Sequence, residues 1–239
     1  MKYKLILPIL FLFPAAIFSQ TNAGSVTIHQ EFATMATTHE NSSSLQSFST
    51  NQVEGTQFFL PEWQKGELTL NDNQVFNQDL LFAYDKVRQE LFIRQKDSSD
   101  ILTGDKERIR SFSLKTAGKQ YYFINSSRYS DVKPLVFYQL LVDDSVKLTL
   151  LKLTSATFVK ADQTDMMKMK EGEIYDAYVD KYNYFLVKGN VNPQAVQLKA
   201  KSIKQILSGF GMNADKYMHD HYGALNEDYL IDLVKALNQ

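Results

Sequence analysis

From Phe58 to Lys188 the chain is a succession of short apolar runs, each of strand length and each closed by polar turn residues. Phe58-Phe59-Leu60 ends at Pro61. Gly66-Glu67-Leu68-Thr69-Leu70 alternates, with Leu68 and Leu70 on one face, and Asn71-Asp72-Asn73 follows as a turn. Leu80, Phe82 and Tyr84 alternate in the same way, and Leu91-Phe92-Ile93 comes after Asp85-Lys86. Further runs occupy 109–114, 121–124, 137–142 and 147–153, the last two separated by the hairpin signal Asp143-Asp144-Ser145. Period-two alternation between turn signals is the mark of strands in a sheet. No helical period separates the runs, and short connections make consecutive strands antiparallel neighbours.

The last run, 174–188, is the most aromatic, with Tyr175, Tyr178, Tyr182, Tyr184 and Phe185. Tyr182, Tyr184 and Leu186 share one strand face, and Phe185 and Val187 share the other. Asp180-Lys181 is expected to turn a further hairpin here. Aromatic residues make up 13% of the chain, a load that suits pleated, half-buried surfaces.

After the loop Gly189-Asn190-Val191-Asn192-Pro193 the period changes. Ile203, Ile206 and Leu207 have helical spacing within 199–208, which stops at Gly209 and Gly211. Asn213 is placed to cap a second helix that ends at Gly223, and Asn226 to cap a third, with Glu227 and Asp228 in its first turn. Tyr229, Leu230, Leu233, Val234 and Leu237 form one apolar stripe on that third helix, as expected of a helix packed on a core. The fold class expected is α+β, mainly β: an antiparallel, curved meander sheet over 55–188, followed by two or three helices over 199–239.

The N-terminal part reads differently. Met1-Lys2-Tyr3-Lys4 is basic, 5–18 is apolar apart from Pro8 and Pro14, and small or polar residues follow. Those are the parts of a secretory signal peptide over 1–19, cleaved after Ser19. The apolar run is shorter than the roughly 20 residues that span a bilayer, so no transmembrane anchor is expected after cleavage. Residues 20–54 are rich in Ser, Thr, Asn and Gln without an apolar period, and read as a disordered linker. The chain has no cysteine, which rules out a lipoprotein anchor, disulfides and thiol chemistry. Without Lys2 and Lys4 the chain carries 24 basic against 27 acidic residues, and no basic face that suits a nucleic acid.

Several stretches carry a resemblance: 59–68 (FLPEWQKGEL), 81–85 (LFAYD), 90–93 (ELFI), 137–141 (FYQLL), 182–185 (YNYF), 201–207 and the closing helix at 228–238. Together they resemble a family of secreted proteins from Bacteroidota with no assigned activity. The resemblance covers about Gly55 to Gln239 and implies export and a β-sheet followed by helices. It brings no activity and no site residues.

Candidate chemistry is sparse. His219-Asp220-His221 is the sharpest metal-like cluster, but on a helix positions i and i+2 point about 200° apart. His29 and His39 lie in the polar linker, so no metal site is expected, and no cofactor. Asp143-Asp144 and the Glu171/Glu173 pair could suggest acid–base chemistry, but adjacent acids in a hairpin turn lack the facing geometry of two catalytic carboxylates and are explained by turn chemistry. Neither a Gly-x-Ser-x-Gly elbow nor a phosphate loop is present. Trp63, the single tryptophan, is a weak candidate for stacking on a sugar or anchoring a partner, against packing over the first hairpin. Tyr182 and Tyr184 offer the same choice between a cross-strand ladder and a ligand-facing strip.

The expectation is an exported protein, periplasmic or extracellular, that binds an envelope protein, a glycan or a lipid without catalysis. The alternatives are a hydrolase whose residues meet only in three dimensions, and a carrier of an apolar ligand inside a curled sheet.

Overall fold

The computed structural model describes residues 36–40, 53–130, 132–161, 175–189 and 191–239. The signal-like segment, His29, most of the polar linker and the Glu171/Glu173 pair lie outside the described residues. Thirteen strands are described: β1 (Ala36–Glu40), β2 (Val53–Glu54), β3 (Lys65–Leu70), β4 (Val75–Phe76), β5 (Leu80–Asp85), β6 (Glu90–Gln95), β7 (Ile101–Gly104), β8 (Ile109–Lys115), β9 (Gln120–Asn125), β10 (Phe137–Val142), β11 (Thr149–Val159), β12 (Asp176–Val187) and β13 (Gln194–Val196). Three helices close the chain: α1 (Ala200–Gly209), α2 (Asp215–Asp220) and α3 (Glu227–Leu237). The molecule is α+β and mainly β.

The meander is real but divided. Strands β8 to β13 run in sequence order and antiparallel through a large sheet, extended beyond β8 by β3 and β4, with the short β2 parallel to β12. Strands β5, β6 and β7 form a second sheet with β1 on its edge. A single meander over 55–188 is therefore corrected to two sheets, and the chain passes between them at Gln64–Lys65, between β4 and β5, and between β7 and β8. Gln64 exchanges backbone hydrogen bonds with Phe82 of β5, at 2.9 and 2.8 Å. From Lys65 onward the chain pairs with β8 of the large sheet instead. Gly66 permits the crossing, because a Cβ there would stand 1.8 Å from the Ser113 carbonyl oxygen. Glycine is the residue that allows so close a backbone approach.

Aromatic side chains fill the space between the sheets. Tyr84 of β5 meets Phe112, Phe123 and Phe137 of β8, β9 and β10 with ring centroids 5.5, 5.2 and 6.1 Å apart. These separations fall in the range where aromatic pairs gain beyond their buried area. Tyr84 is buried, so its hydroxyl needs a partner, and it donates to Gln89 Oε1 at 2.8 Å. Burial drives the Tyr84 pKa far above that of an ordinary phenol.

The rest of the same face of the large sheet is covered by the helices. Ile203 and Leu207 of α1 and Leu230, Leu233 and Val234 of α3 pack with Leu148, Leu150, Tyr184, Leu186 and Val196. Burying each such side chain stabilises the fold by about 1.5–3 kcal/mol relative to exposure. That outweighs the marginal stability of an 11-residue helix alone. Asn226 caps α3 as its sequence position implies, accepting from the Tyr229 N–H at 2.9 Å.

Four further differences have local causes. β12 is one unbroken 12-residue strand, so Asp180-Lys181 is not a turn. Both residues stay in the ladder with β11, and the Asp180 carboxylate is neutralised by Lys86, at 2.6 Å. The polar segment read as a linker contributes β1 and β2, because a sheet edge accepts any extended backbone whatever its side chains. Strands β7 and β13, of four and three residues, are too short to show a period. Finally, α2 ends at Asp220 rather than Gly223, since His221 leaves helical geometry at ψ 71°.

Candidate functional site

The tyrosines singled out in sequence, Tyr182 and Tyr184, do come together, where β12 meets β13 and α3. Their side chains point to the helix-covered face, along with Lys152 of β11, which lies opposite Tyr184 in the ladder. Lys152 interrupts the leucine run Leu150-Leu151-Lys152-Leu153, and a charge so placed needs a partner. The partner is Glu227 in the first turn of α3: Lys152 Nζ lies 2.6 Å from its Oε2. The Tyr184 hydroxyl donates to the same oxygen at 2.8 Å. Burial alone would raise the Glu227 pKa, but the bonds from Lys152 and Tyr184 outweigh it and hold the carboxyl below its ordinary value. Burial, with the hydrogen bond to this carboxylate, raises the Tyr184 pKa, so the phenol stays protonated and acts as a donor.

A second ion pair adjoins the first. Lys152 Nζ stands 4.2 Å from the centre of the Tyr182 ring, within cation–π range. The Tyr182 hydroxyl reaches Asp180 Oδ2 at 3.2 Å, and Asp180 in turn holds the buried Lys86 of the β5–β6 turn. Charge alternates from the small sheet, across β12, to α3, and both lysines are neutralised. Tyr184 is buried, whereas Tyr182 is half exposed. Beside them a hollow of about 470 Å³ is lined by Tyr182, Asn183, Tyr184 and residues 195–199. Sequence reasoning missed Lys152, Glu227, Lys86 and Asp180. The lone lysine between Leu151 and Leu153 was the available signal.

Trp63 is not part of this corner. It packs on the small sheet against Ala83, Phe92 and Ile101, with the Arg94 guanidinium 4.7 Å above its ring. The histidine cluster lies elsewhere again. His219 Nδ1 is 3.0 Å from Asp220 Oδ1, while the His221 ring stacks on Tyr217 at 4.1 Å and its Nδ1 bonds the Tyr217 carbonyl. Because α2 ends at Asp220, opposed helical faces do not describe the pair, and both rings border one hollow of about 350 Å³. No group of three or more His, Asp and Glu side chains converges among the described residues. His39 falls in β1. Asp144 serves its turn, accepting from the Val146 and Lys147 N–H groups at 3.0 and 2.8 Å. Among the described residues no helix is long and apolar enough to cross a membrane.

Beyond the Tyr182 corner, β11 and β12 continue as a two-stranded ribbon past the last pairing with β10, at Lys152. One edge of this ribbon is held by the β5–β6 turn. The Ala156 N–H donates to the Lys86 carbonyl at 3.2 Å, and Gln89 Nε2 donates to the Thr154 carbonyl at 2.9 Å. The ribbon exposes Phe158 by 39%, Val159 by 48%, Val179 by 53% and Tyr182 by 49%. Comparison with known protein families, with characterised proteins and with solved structures finds no match to this chain.

Proposed function

We propose that this chain is an exported, non-enzymatic binding protein whose partner surface is the β11–β12 ribbon with the adjoining Tyr182 corner. The observation that carries this reading is the crowding of Phe158, Val159, Val179 and Tyr182 on two paired strands. Single exposed apolar residues are ordinary, whereas a group on one projecting element points to an interaction site. Strand alternation puts Phe158 and Tyr182 on one face and Val159 and Val179 on the other. A partner that covers them must therefore embrace the ribbon, which suits a protein better than a small ligand. The paired lysines and the protonated Tyr184 give the adjoining corner hydrogen-bonding capacity without an activated nucleophile. The basic start and apolar 5–18 segment support export to the periplasm or cell exterior.

The test is photo-crosslinking from position 179 in the host envelope, with Phe158→Asp and Val159→Lys as controls. The reading expects one specific protein adduct that both substitutions abolish. Adducts indifferent to both substitutions, or co-purifying lipid without protein, would overturn it. Export is checked by the mature N-terminus, expected near Gln20 or Thr21. Intact Met1 in a cytoplasmic fraction would contradict it.

A further inference from the structure

The two edges of the ribbon differ. Along β11, Thr154 and Ala156 direct their backbone groups away from β12, since Gln89 and Lys86 bond them from outside. Opposite them in the antiparallel ladder stand Tyr182 and Asp180. Residues directly opposite either bond each other or both point away, so Asp180 and Tyr182 also direct their N–H and C=O groups outward. The other end of the strand agrees. A Cβ on Gly55 would stand 2.8 Å from the Tyr178 carbonyl oxygen, so that carbonyl faces the same outer edge. Tyr178, Asp180 and Tyr182 have the two-residue spacing this requires.

Among the described residues this edge is paired at its ends only. β2 pairs with Asp176 and Ala177, and β13 pairs with 184–186. Residues 178–183 have no strand partner on that side among the described residues. The opening is six residues long, roughly 20 Å at about 3.3 Å per residue. At its β13 end lies the hollow lined by Tyr184, Ala195, Val196 and Leu198.

We propose that the edge of β12 between Ala177 and Tyr184 binds an extended peptide as an added strand, with Asp180 and Tyr182 supplying the backbone hydrogen bonds and the hollow taking an apolar side chain. The proposal rests on the binding reading above and specifies its partner as an extended polypeptide segment. Open N–H and C=O groups in strand spacing are met in full by another extended backbone. A second copy of this chain fits poorly. Its β12 is 12 residues long, and pairing edge to edge would drive it into β2 and β13, which occupy the same sheet. A segment of about six residues fits between them.

The probe is a pool of blocked hexapeptides with Thr at alternate positions and Val, Leu, Ile, Phe or Tyr at the others. Amide exchange is followed in the full-length, isotope-labelled protein. The pool is expected to slow exchange at Asp180 and Tyr182 by about tenfold or more, and the same pool N-methylated at alternate amides to have no effect. Asp180→Pro removes an outward N–H at an edge position that tolerates proline. Asp180→Ala loses the same ion pair with Lys86 but keeps the N–H. Binding weaker in the proline than in the alanine variant by about tenfold, the worth of one good hydrogen bond, supports the site. No protection at either amide under saturating pool overturns it. Protection elsewhere on β11 and β12 also overturns it but leaves the broader binding reading standing, whereas failure of the position-179 crosslinking sinks that reading itself. A wild-type dimer that Asp180→Pro dissociates would overturn it in favour of self-pairing.

Discussion

Lys152, in the middle of β11, and Glu227, at the start of α3, stand 2.6 Å apart, and this ion pair ties the closing helix to the sheet beside the exposed ribbon. The two side chains are 13% and 31% exposed, so the pair is partly shielded from solvent. It joins residues 75 positions apart in sequence, read from their numbering.

Glu227→Gln should cost about 1 kcal/mol at pH 7, the upper end for a partly exposed pair. The sign with pH follows from the direction of the shift. The folded-state carboxyl titrates below its unfolded value, so its contribution is present above about pH 4.3 and is lost as pH falls through the folded pKa. Urea unfolding of wild type and variant should therefore differ at pH 7, and the gap should narrow as pH falls through the folded pKa. A gap that does not change with acidification would show that the carboxylate charge is not what matters.

The stripe on α3 gives a larger effect. Leu233 is fully buried, so Leu233→Ala should cost about 2–5 kcal/mol through lost burial and a residual cavity. Lys235→Ala, on the exposed side of the same helix, should stay within about 0.5 kcal/mol. Urea midpoints measure both, and a wild-type midpoint for Leu233→Ala would remove the stripe from the core.

Gly66 and Gly118 make a matched pair of glycines. Gly66→Ala forces a methyl group onto the Ser113 carbonyl and should cost about 3 kcal/mol or more, or prevent folding. Gly118 has open space around its Cβ position, and Gly118→Ala should be neutral or mildly stabilising, by up to about 1 kcal/mol. Thermal unfolding of the two variants should separate widely, and similar melting temperatures would disprove the crossing geometry.

Gln89 joins the small sheet to the ribbon. Its amide donates to the Lys86 and Thr154 carbonyls at 2.6 and 2.9 Å and accepts from the Tyr84 hydroxyl. Gln89→Leu takes the side-chain donor from the Thr154 carbonyl and the short acceptor from the Tyr84 hydroxyl, and should cost about 2–4 kcal/mol, from a penalty of about 1–3 kcal/mol for each buried group so deprived. Amide exchange should also quicken at Ala156, whose bond to Lys86 depends on the same turn. Unchanged exchange there would mean that the turn is held without Gln89.

Local pattern alone determined much of the architecture. The alternation at Leu68/Leu70 and Leu80/Phe82/Tyr84 marked β3 and β5, and the later apolar runs marked β8 to β11, because a half-buried strand needs one apolar face. Asn226 and the Leu230/Leu233/Val234 stripe fixed α3, because capping and amphipathic spacing are properties of one turn of chain. Tyr182 and Tyr184 were legible as one strand face. Decisions that join distant residues were not legible. Asp180-Lys181 looks like a turn until Lys86, 94 positions away, neutralises the aspartate inside a continuous strand. The division into two sheets depends on Gly66 meeting Ser113, and the open edge of β12 on where β2 stops and β13 begins. Partners of charged groups and sheet edges are set by which strands become neighbours. Packing across the whole domain decides that, since turn signals and side-chain periods are blind to anything beyond their own window.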